Sequence, residues 1–216
     1  MLIKAVLFDW DGTLVDSLPH IFEMLSVVAK KLNLGAVSQE RIKENLGKTW
    51  VDFLGSLWPE EVNLVVRFNQ AYEECGFEKK IIPAIPNVHR VIKKLKQQSY
   101  FLGIISNRDR QSWEKRFSEC EIGLDSFDYV QVLDDSPYEK PDPRVFDAVK
   151  ERLNGFKAIY VGDTVSDFHA TVGTGIKFVG VLTGPTTVGR FIEAGVNIWN
   201  IIPSVADLPD FLSRRN

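Results

Sequence analysis

Phe8-Asp9-Trp10-Asp11-Gly12-Thr13-Leu14-Val15-Asp16-Ser17 continues the apolar run that begins at Ile3, and its reading decides the fold. That run, Ile3 to Phe8, has no polar alternation, as expected of a strand covered on both faces. Two acids one residue apart at its carboxyl end lie where open α/β sheets place their ligands. Gly12 lets the backbone turn sharply and approach a ligand closely. Asp and Gly are also common residues of plain turns, so the pair alone leaves both readings open.

Three more apolar runs have the same character: Phe101 to Ile105, Ala158 to Val161 and Lys177 to Leu182. A weaker one spans Tyr129 to Leu133. Helical patterns lie between them, notably Val88 to Gln98 and Pro143 to Leu153, the second opening on a proline. This alternation from about residue 83 onward predicts a parallel sheet covered by helices. Between Pro19 and Ile82 the pattern changes. Helical stretches recur there (His20 to Leu32, Gln39 to Leu46, Trp50 to Leu57, Glu60 to Cys75) without a convincing strand. A block of roughly sixty residues is too large for a connecting loop. The expected organisation is an α/β core from residues 1–17 and 83–216, with an all-α domain, residues 18–82, inserted after the first strand. The boundaries fall near Ser17–Pro19 and Ile82–Pro86.

Composition narrows the function classes. The 216 residues carry a formal charge of −3, with 44% apolar and 25% charged residues, ordinary for a globular protein. No basic run forms a stripe for nucleic acid. Cys75 and Cys120 give neither a disulfide framework nor a CxxC pair, and are read as small buried hydrophobes. The first apolar run is too short for a signal peptide, and no segment approaches a membrane span. The expectation is a cytoplasmic protein with neither nucleic-acid nor membrane partners. Oligomeric state is not legible in the sequence.

Other strand ends decide how the first one is read. Ala158 to Val161 runs into Gly162-Asp163-Thr164, with Asp167 four residues after Asp163. If the two strands are neighbours, these acids meet Asp9. Hard oxygen ligands crowded together without a His or Cys cluster suit Mg²⁺. Phe101 to Ile105 runs into Ser106-Asn107, a hydroxyl and backbone N–H groups suited to phosphate oxygens. Lys140, in Glu139-Lys140-Pro141-Asp142-Pro143, sits just before a helix start, where a fixed cation neutralises phosphate charge.

In order along the chain, Asp9-Trp10-Asp11-Gly12-Thr13, Ser106-Asn107, Lys140-Pro141 and Gly162-Asp163-Thr164 with Asp167 resemble the four motifs of the haloacid dehalogenase superfamily. The likeness is to its phosphoglycolate-phosphatase-like branch. The helical block matches the position of that family's cap. Asn87 and Ser99 stand where the family usually has glycines. The resemblance implies a Rossmann-like core and a phosphatase that forms an aspartyl-phosphate from a small phosphorylated metabolite. It implies Asp9 as nucleophile, Asp11 as the acid that protonates the leaving oxygen, and Ser106 and Lys140 as phosphate-holding groups. Mg²⁺ would be held by Asp9, the Asp11 carbonyl and Asp163, with Asp167 supporting Lys140 or the metal shell. Gly12, Thr13 and Asn107 are expected around the substrate phosphate, and Lys48 and Trp50 as cap contacts to the leaving group.

Within the superfamily, the acid at Asp11 argues against a dehalogenase, which has no leaving oxygen to protonate. A hexose-phosphate mutase shares the four motifs, but usually carries valine where Thr13 stands and arginine where Trp50 stands. Lys48 raises the question of a phosphonate-cleaving Schiff base, although a contact to an anionic substrate is the more natural reading. The alternatives from other classes are a phospho-accepting receiver, whose short undecorated fold leaves the cap unexplained, and an inactive scaffold that binds a partner through the cap, against which every expected catalytic position is filled.

Overall fold

The computed structural model describes residues 3–119 and 122–215, so Cys120 lies outside the described residues. Six parallel strands, β1 (Ile3–Phe8), β2 (Phe101–Ile105), β3 (Tyr129–Gln131), β4 (Lys157–Gly162), β5 (Lys177–Val181) and β6 (Ile201–Ile202), form one sheet in the order β3-β2-β1-β4-β5-β6. Every neighbouring pair runs parallel. The order reverses at β1, so a crevice opens where β1 and β4 end side by side. Asp9 follows β1, Asp163 follows β4 and Ser106 follows β2.

The strands read as apolar because both faces are buried. Val6 and Phe8 of β1 join one apolar cluster with Ile159 and Val161 of β4. Ala5 and Leu7 join the cluster on the opposite face with Ala158 and Tyr160. The first face is closed by α5 (Val88–Gln97) and α10 (Leu208–Ser213). On the second pack α7 (Asp147–Arg152), α8 (Val165–Thr171) and α9 (Val188–Glu193). Trp10, fully buried, packs on Trp113 of α6 (Arg110–Glu119), with ring centroids 5.8 Å apart. Its side chain anchors the loop between the two acids in the core.

The intervening segment is helical: α1 (Leu18–Lys31), α2 (Gln39–Asn45), α3 (Trp50–Leu57) and α4 (Leu64–Glu74). A third cluster holds it together, from Met24, Leu25 and Val28 of α1 to Phe68 of α4 and Phe77. Cys75 is half-buried against this cluster. The two chain crossings into the block run side by side. Asp16 N donates to Pro83 O at 2.9 Å and Ile85 N to Leu14 O at 2.8 Å. No described helix is long and apolar enough to cross a membrane.

Several elements differ from the sequence reading, each for a local reason. The fourth helix begins at Leu64 rather than Glu60, because Asn63 adopts a left-handed conformation (φ 53°) and breaks the chain direction. Pro143 opens a 3₁₀ turn, with the Asp142 side chain accepting from Arg144 N, before α7 takes over. The weak run after Tyr129 ends as a strand at Gln131, and Leu133–Asp135 form a 3₁₀ turn. Asn87 and Ser99 both have positive φ, 68° and 58°. Asparagine tolerates that region better than most residues, which fits Asn87 as the N-cap of α5.

Candidate active site

The loop after β1 is shaped by its own backbone. Trp10 O accepts from Leu14 N at 2.9 Å and Val15 N at 3.1 Å, while Gly12 N donates to Val15 O at 2.8 Å. Gly12 has φ 71°, and a Cβ there would collide with the Asp163 carboxylate. A Cβ at Gly184, in the loop after β5, would collide with the same carboxylate. Small residues at both positions therefore let the backbone close around Asp163, a packing constraint invisible to motif reading at Gly184.

At the end of β1, the Lys140 ammonium has all three donors satisfied. It lies 2.7 Å from Asp9 Oδ1, 2.7 Å from Asp167 Oδ1 and 2.9 Å from the Tyr160 hydroxyl. Tyr160 in turn donates to Ile105 O at 2.7 Å, tying β4 to the end of β2. Asp167 is fully buried. Its Oδ2 accepts from Thr164 N and Oγ1, completing a capping box at the start of α8. Of the two roles left open for Asp167, these bonds favour support of Lys140. Thr13, also fully buried, donates to Asp163 Oδ1 at 2.9 Å and orients that carboxylate from behind.

Electrostatics follow from this crowding. Burial pushes Asp9 up to about 7, against the Lys140 charge that pulls it down, and Asp167 adds to the rise. Burial, then Asp167 and Asp9, push Asp163 well above the carboxylate range. Burial alone would lower Lys140, but Asp167 and Asp9 more than offset it and keep the ammonium charged. One cation thus faces three buried carboxylates.

Asp9, Asp163 and Asp167 each bring a carboxylate oxygen within 4.8 Å of the others. This all-oxygen, over-negative donor set fits a hard divalent cation. Asp163→Asn removes one of the three crowded acids, and with it the cost of burying that acid, while leaving an oxygen to accept from Thr13. In metal-free buffer its melting temperature is expected to rise by a few degrees over wild type, whereas millimolar Mg²⁺ is expected to stabilise wild type only. Calorimetry with and without Mg²⁺ checks this; an equal Mg²⁺ response in both proteins would contradict the assignment.

A cavity of about 560 Å³ lies above this cluster. Asp9, Asp11, Ser106 and Lys140 line it from the core, and Lys48 and Trp50 from the helical block. Gly12, Asn107 and Asp163 also face it, whereas Thr13 and Asp167 do not. Lys48 Nζ donates to Asn45 Oδ1 and Ser56 Oγ, at 2.7 and 2.8 Å. Trp50 Nε1 donates to Asn69 Oδ1 at 2.9 Å, and its ring packs on Phe53 and Phe68. Asn107 spends its amide on main chain: Nδ2 donates to Gly47 O and Lys140 O, and Oδ1 accepts from Lys140 N. It therefore clamps the helical block to the Lys140 loop.

Arg108 belongs to the site although no motif marks it. Its Nε and Nη2 donate to the two oxygens of Asp11 at 2.8 and 2.7 Å. Burial pushes the Asp11 carboxyl up, but the Arg108 charge and hydrogen bonds outweigh it, with help from Ser17, and bring it below its ordinary value. The one available signal was position, two residues after Ser106.

Residues 6–181 match the family described as haloacid dehalogenase-like hydrolase. The chain belongs to that family. It is 26% identical over 181 residues to the pyrophosphatase PpaX of Bacillus velezensis, covering 83% of each chain. It is 26% identical over 204 residues to a phosphoglycolate phosphatase of Vibrio cholerae, covering 84% of this chain and 85% of that one. Among solved structures, a hydrolase from Pseudomonas syringae superposes with a TM-score of 0.79 at 23% identity, covering 98% of both chains. The four stretches that resemble the family's motifs meet at the crevice between β1 and β4, and the six-stranded parallel sheet is the Rossmann-like core expected of the fold.

Proposed function

We propose that this hydrolase is a Mg²⁺-dependent phosphatase that cleaves a small phosphomonoester through an aspartyl-phosphate on Asp9. The observation that carries the reading is the buried Asp9–Lys140 contact of 2.7 Å beside Asp163, on the floor of the cavity. Asp9 attacks phosphorus, and the bond to the leaving oxygen breaks as Asp11 supplies a proton. Water then attacks phosphorus, giving a proton to Asp11, and the bond from phosphorus to the Asp9 oxygen breaks to release phosphate. Two displacements replace one difficult step, and acid–base help of this kind contributes about 10²–10⁴ in rate. Lys140 and Ser106 hold the phosphate oxygens that gain charge in the transition state. Asp9, Asp163 and the Asp11 carbonyl would hold the metal, which when bound offsets the charge of the phosphate and the carboxylates. The helical block, residues 18–82, acts as the cap that shields the site from water. Relatives named for phosphoglycolate and pyrophosphate support a small, highly charged substrate.

The test is phosphate release from an aryl phosphate and from a panel of phosphorylated metabolites, with Mg²⁺ or with excess EDTA. Release with Mg²⁺ and its loss in EDTA is the expected outcome. Equal rates in both would exclude the metal role, and transfer of phosphate between hexose positions without release would favour a mutase.

A further inference from the structure

In the proposed reaction Asp11 must hand a proton to the leaving oxygen, yet both its oxygens are occupied by Arg108. The fork is bidentate, and the two side chains are only 21% and 29% exposed. With both oxygens taken up by the fork, Asp11 is not directed at a substrate. For the acid to work, the guanidinium must move off it.

A neutral leaving group offers nothing to draw it away, whereas an anion does. A planar guanidinium binds a carboxylate and a phosphate in the same two-pronged manner. Exchanging Asp11 for such a group keeps two charge-assisted hydrogen bonds. Losing Asp11 without a replacement leaves a largely buried cation unpaired. Arg108 lines the cavity on the core side, and Lys115 and Lys48 line the same cavity. Tyr72 of the helical block is near enough to act on the Arg108 charge, so the guanidinium sits where core and helical block meet. Glu73 and Glu78 also line the cavity, which is therefore not uniformly basic. An anion would be recognised by the fork itself rather than by a general positive field.

Building on the phosphatase reading above, we propose that Arg108 is a specificity latch. It holds Asp11 in the empty enzyme and transfers its fork to a second anionic group, carboxylate or phosphate, on the leaving side of the substrate. Recognition of that second anion and release of the catalytic acid are then one event. Substrates with a second negative charge near the ester are turned over, and those without one meet an enzyme whose acid is still latched.

The test compares wild type, Arg108→Ala and Arg108→Lys on phosphoglycolate, pyrophosphate and ethyl phosphate, with kcat and KM measured separately. For Arg108→Ala, kcat/KM on the two substrates with a second anion is expected to fall by about 10²-fold, mostly through KM. On ethyl phosphate it is expected to rise severalfold, because Asp11 is released. Arg108→Lys keeps the charge without the fork and should fall between the two on the anionic substrates. A larger loss on phosphoglycolate than on pyrophosphate identifies a carboxylate as the natural second anion, and the reverse identifies a phosphate. A uniform loss on all three substrates would overturn the latch and leave Arg108 a structural residue. No turnover of any substrate by wild type would overturn the phosphatase reading and the latch with it.

Discussion

Asp9→Asn is expected to lower Mg²⁺-dependent phosphate release by about 10⁴-fold or more, the scale of loss when a covalent nucleophile is removed. The change is nearly isosteric. The amide oxygen still accepts from Lys140, and the site loses one of the three carboxylates crowded round a single ammonium. Burial pushes the Asp9 carboxyl up to about 7, so the folded chain already bears a cost for its charge. The variant should therefore fold at least as stably as wild type without metal, and lost activity cannot be assigned to unfolding. Acid-quenched wild type incubated with a labelled phosphoester should carry label released by hydroxylamine, as an acyl phosphate is. The variant should carry none. Activity above one hundredth of wild type, or equal labelling of both proteins, would exclude Asp9 as nucleophile.

The parts of this fold legible in the sequence are those whose burial leaves a simple pattern. Strands β1, β2, β4 and β5 are largely apolar because helices cover both faces, with an exposed lysine only at or near the amino end of β1, β4 and β5, so composition alone marks them. Strand β6, two residues at the edge, carries too few side chains to make a pattern. Helix α6, with the sequence Arg-Gln-Ser-Trp-Glu-Lys-Arg-Phe-Ser-Glu, is mostly polar and charged and has no apolar stripe to read. The site divides the same way. Asp9, Ser106, Lys140 and Asp163 stand at strand ends or before a helix, where chemistry is sought, and the structure brings all four to one cavity. Arg108 is not legible because its partner Asp11 is 97 residues away, and an arginine after a strand reads as a surface charge. Tyr160 was absorbed into the apolar run of β4, since nothing local reveals that its hydroxyl meets Lys140. Long-range polar pairs of this kind exist only once the sheet order is known.

Lys140→Met is expected to damage stability and catalysis together. The ammonium lies within 2.7 Å of both Asp9 and Asp167, and the three side chains are 2%, 9% and 0% exposed. Replacing such a pair wholesale with apolar groups can be neutral, but removing one partner leaves buried charge uncompensated and costs about 3–5 kcal/mol. The loss should depend on pH in a defined direction. Lys140 holds Asp9 down against its burial, so without it the folded-state carboxyl rises further above its unfolded value. The folded variant then keeps protons that its unfolded chain has released, and its stability falls as pH rises. Denaturant titration in metal-free buffer should give a larger deficit against wild type at pH 8 than at pH 5. Phosphate release should drop by about 10²–10³, as when one fixed donor to a developing charge is lost. Lys140→Arg keeps the charge, but a planar fork cannot meet Asp9, Asp167 and Tyr160 as a compact ammonium does, so it should restore stability only in part. A deficit below about 1 kcal/mol, unchanged between the two pH values, would mean that the carboxylates find compensation elsewhere. Lys140 would then not be the cation that lets three acids share the end of β1.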